Sequence, residues 1–269
     1  MPTSNSESGL IADCQDQRVA LIAGGTSGVG LACAHLLLST GLRRLTIVGR
    51  DSERARRVAE TLSEEYPSAL VRAESADVGT VQGAQRAAAS TVAEFGRIDL
   101  TICSTVPSDA APELLARTPI EDVERILTHI SLPPILLARA VLPTMQDQGA
   151  GSIVLVASDA AKIGTPGETV IGAAMAAITM FTRAAALELK RNGIRVNCVT
   201  PSLIAGTPTS ERVLSGGFSA KIFEKATALA ALGVPTAYEV AQLVCHLGGP
   251  ESARVTGQVV SINGGISTG

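Results

Sequence analysis

Apolar positions recur along this chain in two alternating rhythms. Short, nearly continuous apolar runs occupy Arg18–Ala23 (RVALIA), Leu45–Val48 (LTIV), Leu70–Ala73, Leu100–Cys103 (LTIC), Ser152–Ala157 (SIVLVA), Arg195–Val199 (RVNCV) and Gln258–Ile262 (QVVSI). Runs this short, with little polar alternation, suit strands buried on both faces. Between them lie longer stretches with helical spacing: Val29–Ser39, Glu53–Glu65, Thr80–Phe95, Pro119–Gln146, Thr169–Arg191 and Ala237–Leu247. Strands alternating with helices predict a parallel sheet covered on both faces. No Pro/Gly/Ser-rich linker and no internal repeat divides the pattern. The expectation is one doubly wound α/β domain over residues 17–269, preceded by a frayed polar tail at 1–16.

Composition narrows the function classes. The 269 residues are 46% hydrophobic and 17% charged, which excludes disorder. The net charge of −3 comes with no basic block, so nucleic acid and anionic membranes are not expected partners. No window of about twenty residues is apolar and free of charge, so no membrane span is predicted. Residues 1–16 contain neither Lys nor Arg and do not read as a signal peptide. The cysteines (Cys14, Cys33, Cys103, Cys198, Cys245) are odd in number and form no C-x-x-C pair, and His35, His129 and His246 are scattered. This predicts reduced thiols in a cytoplasmic protein and no metal site. Aromatics are scarce, with no Trp, four Phe and two Tyr, at Tyr66 and Tyr238.

The first apolar run passes into Ala23-Gly24-Gly25-Thr26-Ser27-Gly28-Val29-Gly30 and then a helix. Glycines let the backbone turn tightly and approach a pyrophosphate. The helix start that follows offers free N–H groups and the positive end of its dipole. Strand, glycines and helix in this order, at the head of a βαβ array, point to dinucleotide binding.

The spacing of Gly24, Gly28 and Gly30 resembles that of the short-chain dehydrogenase/reductase family, and the resemblance covers nearly the whole chain. Asp77-Val78 matches the family's adenine-contacting Asp. Gly151–Ser158 (GSIVLVAS) matches its fifth strand, ending in the catalytic serine. Ala186–Ile204 matches the next helix, strand and Pro-Gly loop, with Ser202 in place of the Gly. Thr256-Gly257-Gln258 and Asn263-Gly264-Gly265 match the closing strand and its flanks, while Ala23 stands where Thr is usual. The resemblance implies a Rossmann-type fold with a seven-stranded parallel sheet. It implies a dinucleotide held by Gly24, Thr26, Ser27, Gly28, Val29, Gly30, Asp77, Val78, Ser104 and Ile204. It also implies a mobile substrate loop at about 203–225, and a homodimer or homotetramer built through the two longest helices.

The second strand ends Val48-Gly49-Arg50. An acidic residue at position 49 would bond the ribose 2′-OH of NAD, but Gly49 carries none. Arg50 offers a planar fork suited to a 2′-phosphate, so NADP(H) is favoured over NAD(H). Asp51 beside it is a possible neutralising partner, in which case Arg50 is an ordinary surface charge.

The family's proton chemistry rests on an Asn, a Ser and a Tyr-x-x-x-Lys pair, whose spacing sets Tyr and Lys on one helix face. Counting from Ser158 puts the Tyr slot at Ile171 and the Lys slot at Met175. Counting back from Leu142-Pro143 and Met145 puts the Asn slot at Ile130. The usual Asn-Asn-Ala-Gly reads Cys103-Ser104-Thr105-Val106. Only Ser158 of the four remains. Several residues are candidates to replace the missing acid. Lys162 lies in the loop after Ser158, where it can act on a substrate oxygen or be a solvated loop lysine. Asp159 is expected to point away. Glu168 precedes Ile171 by three residues and either faces the same cleft or serves the helix dipole. His129 adjoins the Ile130 slot. Cys103 ends the fourth strand and is expected to be a buried, inert thiol.

Three functions fit these residues. One is an NADP-dependent oxidoreductase with an altered proton-transfer site, acting on a small apolar carbonyl, enone or cyclic substrate. Another is a catalytically silent dinucleotide-binding subunit, paired with itself or with an active relative. The third is a lyase or isomerase on the same scaffold.

Overall fold

The computed structural model describes residues 17–268, apart from 106, 108–109, 208–209 and 212–223. The expected tail at 1–16, Val106 and much of the expected substrate loop lie outside the described residues.

The chain runs β1 (Val19–Ala23), α1 (Gly28–Ser39), β2 (Arg44–Gly49), α2 (Ser52–Glu65), β3 (Leu70–Ser75), α3 (Val81–Phe95), β4 (Leu100–Cys103), α4 (Ile120–Gln148), β5 (Gly151–Val156), α5 (Thr169–Leu189), β6 (Ile194–Pro201), α6 (Ala237–Gly248) and β7 (Val259–Ile262). All seven strands pair in parallel, in the order β3-β2-β1-β4-β5-β6-β7. From β1 the chain moves outward to β3, then crosses back through α3 to β4 and proceeds the other way. The reversal leaves a crevice at the C-terminal ends of β1 and β4, where doubly wound sheets bind ligands.

β1 is buried along its whole length, which explains its unbroken apolar run. Its side chains alternate between two cores. Leu21 and Ala23 join the residues of α3, α4 and α5, while Ala20 and Ile22 join those of α1, α2 and α6. By length and composition α4 and α5 are each apolar enough to cross a bilayer. In the fold both lie along the sheet, with Leu137, Val141, Ala174 and Ile178 in its core.

Candidate active site

The turn after β1 is shaped by contacts that only glycine tolerates. Gly24 has φ +79°, and a Cβ there would lie 2.4 Å from the Ser104 carbonyl oxygen. A Cβ on Gly30 would lie 2.3 Å from the Gly24 carbonyl oxygen, so this glycine lets α1 seat against the turn. Ser27 precedes α1 in extended backbone and its side chain makes no capping hydrogen bond. Among the described residues the first N–H groups of α1 have no side-chain acceptor. An uncapped helix start behind a glycine-rich turn fits the pyrophosphate of a dinucleotide.

That turn opens into a cleft of about 980 Å³ at the C-terminal edge of the sheet. Gly24, Thr26, Ser27, Gly28, Val29, Arg50, Asp77, Val78, Ser104 and Ile204 line it, together with Ile130, Ser158, Ile171 and Met175. Residues from Ala23 to Ser210 thus converge on one surface. Gly30 is not part of the wall and stands behind it.

Lys162 is a correction. It does not face the cleft: its Nζ bonds the Ser261 hydroxyl on β7 and lies 3.9 Å from Asp159 Oδ1. Asp159 is buried and also accepts from Ser261 (2.8 Å), Ser267 (2.9 Å) and the Asn263 amide. A buried carboxylate needs a counter-charge and donors, and Lys162, one turn away, supplies the charge. The pair ties the Ser158 loop to the end of the sheet.

At one end of the cleft lies the β2–α2 junction. A Cβ on Gly49 would meet the Thr26 methyl at 2.8 Å. Asp51 caps α2 by accepting from the Arg54 N–H at 3.0 Å, and that bond holds its carboxyl below the usual range. Asp51 is therefore turned to the helix and makes no ion pair with Arg50 among the described residues. Arg54 also lines the cleft and was missed from sequence. Its position, three residues after the Asp51 cap, was the available signal.

The other end is apolar with isolated polar groups. Ile130 and Ile171 are buried and Met175 is half-buried. Ser158 lines the wall, and its Oγ accepts from the Ala160 N–H at 3.2 Å. His129, Thr128 and Glu168 line it too, as do Leu203, Thr207 and Ser210 from the described part of the loop after β6. Pro133 and Pro134 have no N–H, so the His129 and Ile130 carbonyls lack their i+4 helical donors. The Cys103 thiol is buried, which pushes it up to about 11, and it does not line the cleft. Neither tyrosine does: Tyr66 follows α2 beside His35, and Tyr238 is exposed on α6. Among the described residues no lysine lines the wall. Among the described residues no group of three or more His, Cys, Asp or Glu is placed to hold a metal.

A family profile described as enoyl-(acyl carrier protein) reductase matches residues 23–267. The 2-(R)-hydroxypropyl-CoM dehydrogenase of Xanthobacter autotrophicus is 31% identical, over 92% of this chain and 97% of that protein. The short-chain reductase protein NovJ of Streptomyces niveus is 30% identical, over 98% of this chain and 99% of that one. The crystal structure of levodione reductase superposes with a TM-score of 0.85 at 28% identity, covering 93% of this chain and 97% of that one. The fold, the glycine turn, the crevice and these relatives agree: the chain belongs to the short-chain dehydrogenase/reductase family of NAD(P)-dependent oxidoreductases.

Proposed function

We propose that this oxidoreductase uses NADP(H) and an altered proton-transfer site to act on a small apolar carbonyl, enone or cyclic substrate. One observation carries the proposal: Ile130, Ile171 and Met175 line the cleft beside Ser158, and among the described residues neither Tyr nor Lys does. A bound nicotinamide dinucleotide supplies or takes hydride. The chain's own residues bind it at the glycine turn, exclude water with the apolar wall, and offer Ser158 Oγ to a substrate oxygen. Arg50, with Arg54 beside it and Asp51 engaged elsewhere, supports a 2′-phosphate over a 2′-hydroxyl. Two exposed side chains of α5, Met180 and Leu187, support a homodimer or homotetramer through α4 and α5. The free thiols of Cys33, Cys103 and Cys198, all buried, suit the cytoplasm.

The test is a fluorescence titration of the pure protein with NADPH, NADH and NADP⁺, followed by assays on ketones, enones and cyclic alcohols. NADPH is expected to bind tighter than NADH, and Arg50→Ala to lose at least half of that preference on a logarithmic scale. No binding below millimolar sinks the proposal. Binding with no turnover on any substrate favours the second reading, a catalytically silent dinucleotide-binding subunit, which the absence of Tyr and Lys among the described residues of the wall also supports.

A further inference from the structure

Among the described residues, the apolar end of the cleft contains one carboxyl group, that of Glu168. The residue sits at the start of α5, one turn before Ile171, which is itself one turn before Met175. Spacings of three and four residues put all three on one helix face, and all three line the cleft. The Glu168 backbone is fixed at both ends: its N–H donates to the Thr165 carbonyl at 3.0 Å and its carbonyl accepts from Gly172 at 2.6 Å. The turn that begins at Ser158 packs close by, since a Cβ on Gly172 would lie 2.7 Å from the Ala160 carbonyl oxygen. Glu168 and Ser158 thus border the same end of the cleft.

Glu168 is not spending its side chain on the helix. It occupies the N-cap position of α5, yet makes no side-chain capping bond. Among the described residues its carboxyl has no hydrogen-bond or ion-pair partner. A capping or dipole role would show as an acceptor contact with the first N–H groups of α5.

Resting on the oxidoreductase reading above, we propose that Glu168 is the proton-transferring group of this site, doing from the first turn of α5 what the family's tyrosine does from position 171. In the reducing direction, hydride from the bound dinucleotide forms the new C–H bond at the carbonyl carbon. The C=O π pair moves to oxygen, and oxygen takes the Glu168 proton to become a hydroxyl. The dinucleotide is oxidised, the carbonyl is reduced, and the Glu168 carboxylate regains its proton from water through the open cleft. Oxidation runs the same path in reverse.

Burial raises the Glu168 carboxyl above the ordinary glutamate value near 4.5, so it holds its proton closer to neutrality than a solvated glutamate does. The shift has burial as its only cause. Among the described residues, the charged and titratable groups near that end are His129 on α4, and Glu113, Arg117, Asp122 and Arg125 around the small depression behind Gly167 and Ile171. Asp159 and Lys162, in the adjoining turn, are tied to each other and to β7.

Glu168→Gln keeps the size of the side chain and removes the proton. Turnover is expected to fall by about 10²- to 10⁴-fold at pH 7, the usual worth of a positioned acid, with the NADPH dissociation constant within about threefold of wild type. The limb of the kcat–pH profile that reports the proton donor should vanish with it. A variant with wild-type turnover overturns the Glu168 assignment and leaves the oxidoreductase reading standing. Wild-type protein that binds no dinucleotide overturns both. A limb that survives in Glu168→Gln and vanishes in His129→Gln also overturns the assignment. A second readout needs no turnover: carbon-13 NMR of protein labelled at the glutamate carboxyls, with NADPH bound. The resonance absent from Glu168→Gln is expected to titrate above the ordinary glutamate range, and one that titrates within or below it overturns the proposal.

Discussion

Glycine 30 shows how one missing atom can shape a site it does not touch. Its absent Cβ is what lets the Gly24 carbonyl oxygen pack against α1, since a Cβ would lie 2.3 Å from it. Gly30→Ala is therefore expected to push the turn outward, cost about 1–3 kcal/mol of stability through overpacking, and weaken NADPH binding at least tenfold by fluorescence titration. Gly41→Ala is the control, because a Cβ at Gly41 meets nothing within 4 Å although its φ is +109°. That variant should destabilise the protein and leave NADPH affinity in place. Positions 171 and 175 invite the reverse experiment. Because both line the cleft, Ile171→Tyr with Met175→Lys should gain ketone reduction over wild type. No gain would show that the pocket has changed beyond these two positions. Single residues were unevenly legible in the sequence. The glycines could be read because turn geometry dictates them. Lys162 could not, because its hydrogen-bond partner, Ser261, lies on β7, about a hundred residues along the chain.

Elements were more legible than their ends. β4 coincides with its apolar run, Leu100–Cys103, because polar or turn residues bound it on both sides. β6 runs on to Pro201, beyond the expected Val199, because buried polar residues continue it: Thr200 pairs with Ser261 of β7. Asn197 of the same strand donates to the Val255 carbonyl and accepts from the Gln258 N–H. Buried polar residues with every bond made look like loop to a hydrophobicity pattern. α4 persists from Ile120 to Gln148 through Pro133, Pro134 and Pro143, since its apolar face packs on the sheet strongly enough to absorb the lost N–H donors. α6 begins at a box in which the Thr236 hydroxyl accepts from the Glu239 N–H and Glu239 accepts from the Thr236 N–H. Thr236→Ala breaks half of that exchange. It should cost about 1 kcal/mol in chemical denaturation while leaving the NADPH titration unchanged, because the box is not part of the cleft wall. A change in dinucleotide affinity would show that α6 and the site are coupled.

For the whole molecule, a carboxyl without a partner at a binding site is a stability cost. Folding moves Glu168 from water into the cleft wall, which favours its protonated form and raises it above the ordinary value near 4.5. Between the unfolded and folded values the folded chain holds a proton that the unfolded chain has released. By linkage, stability then falls as pH rises through that window. The sign is opposite to that of Asp51 and Glu239, whose carboxyls are held low by backbone N–H bonds and so favour the fold once ionised. Thermal unfolding of wild type and Glu168→Gln across a pH series isolates the term, because every other group titrates alike in both proteins. Below about pH 4.5 the two melting temperatures should keep a constant offset. As pH rises, Glu168→Gln should gain on wild type, then hold its advantage once the carboxyl is fully ionised in the folded state. A variant that gains stability at neutral pH while losing turnover is the pattern of a group retained for chemistry and not for folding. A difference that stays flat with pH would mean that the carboxyl reaches solvent freely in the folded protein, and would remove the physical basis for a proton held there.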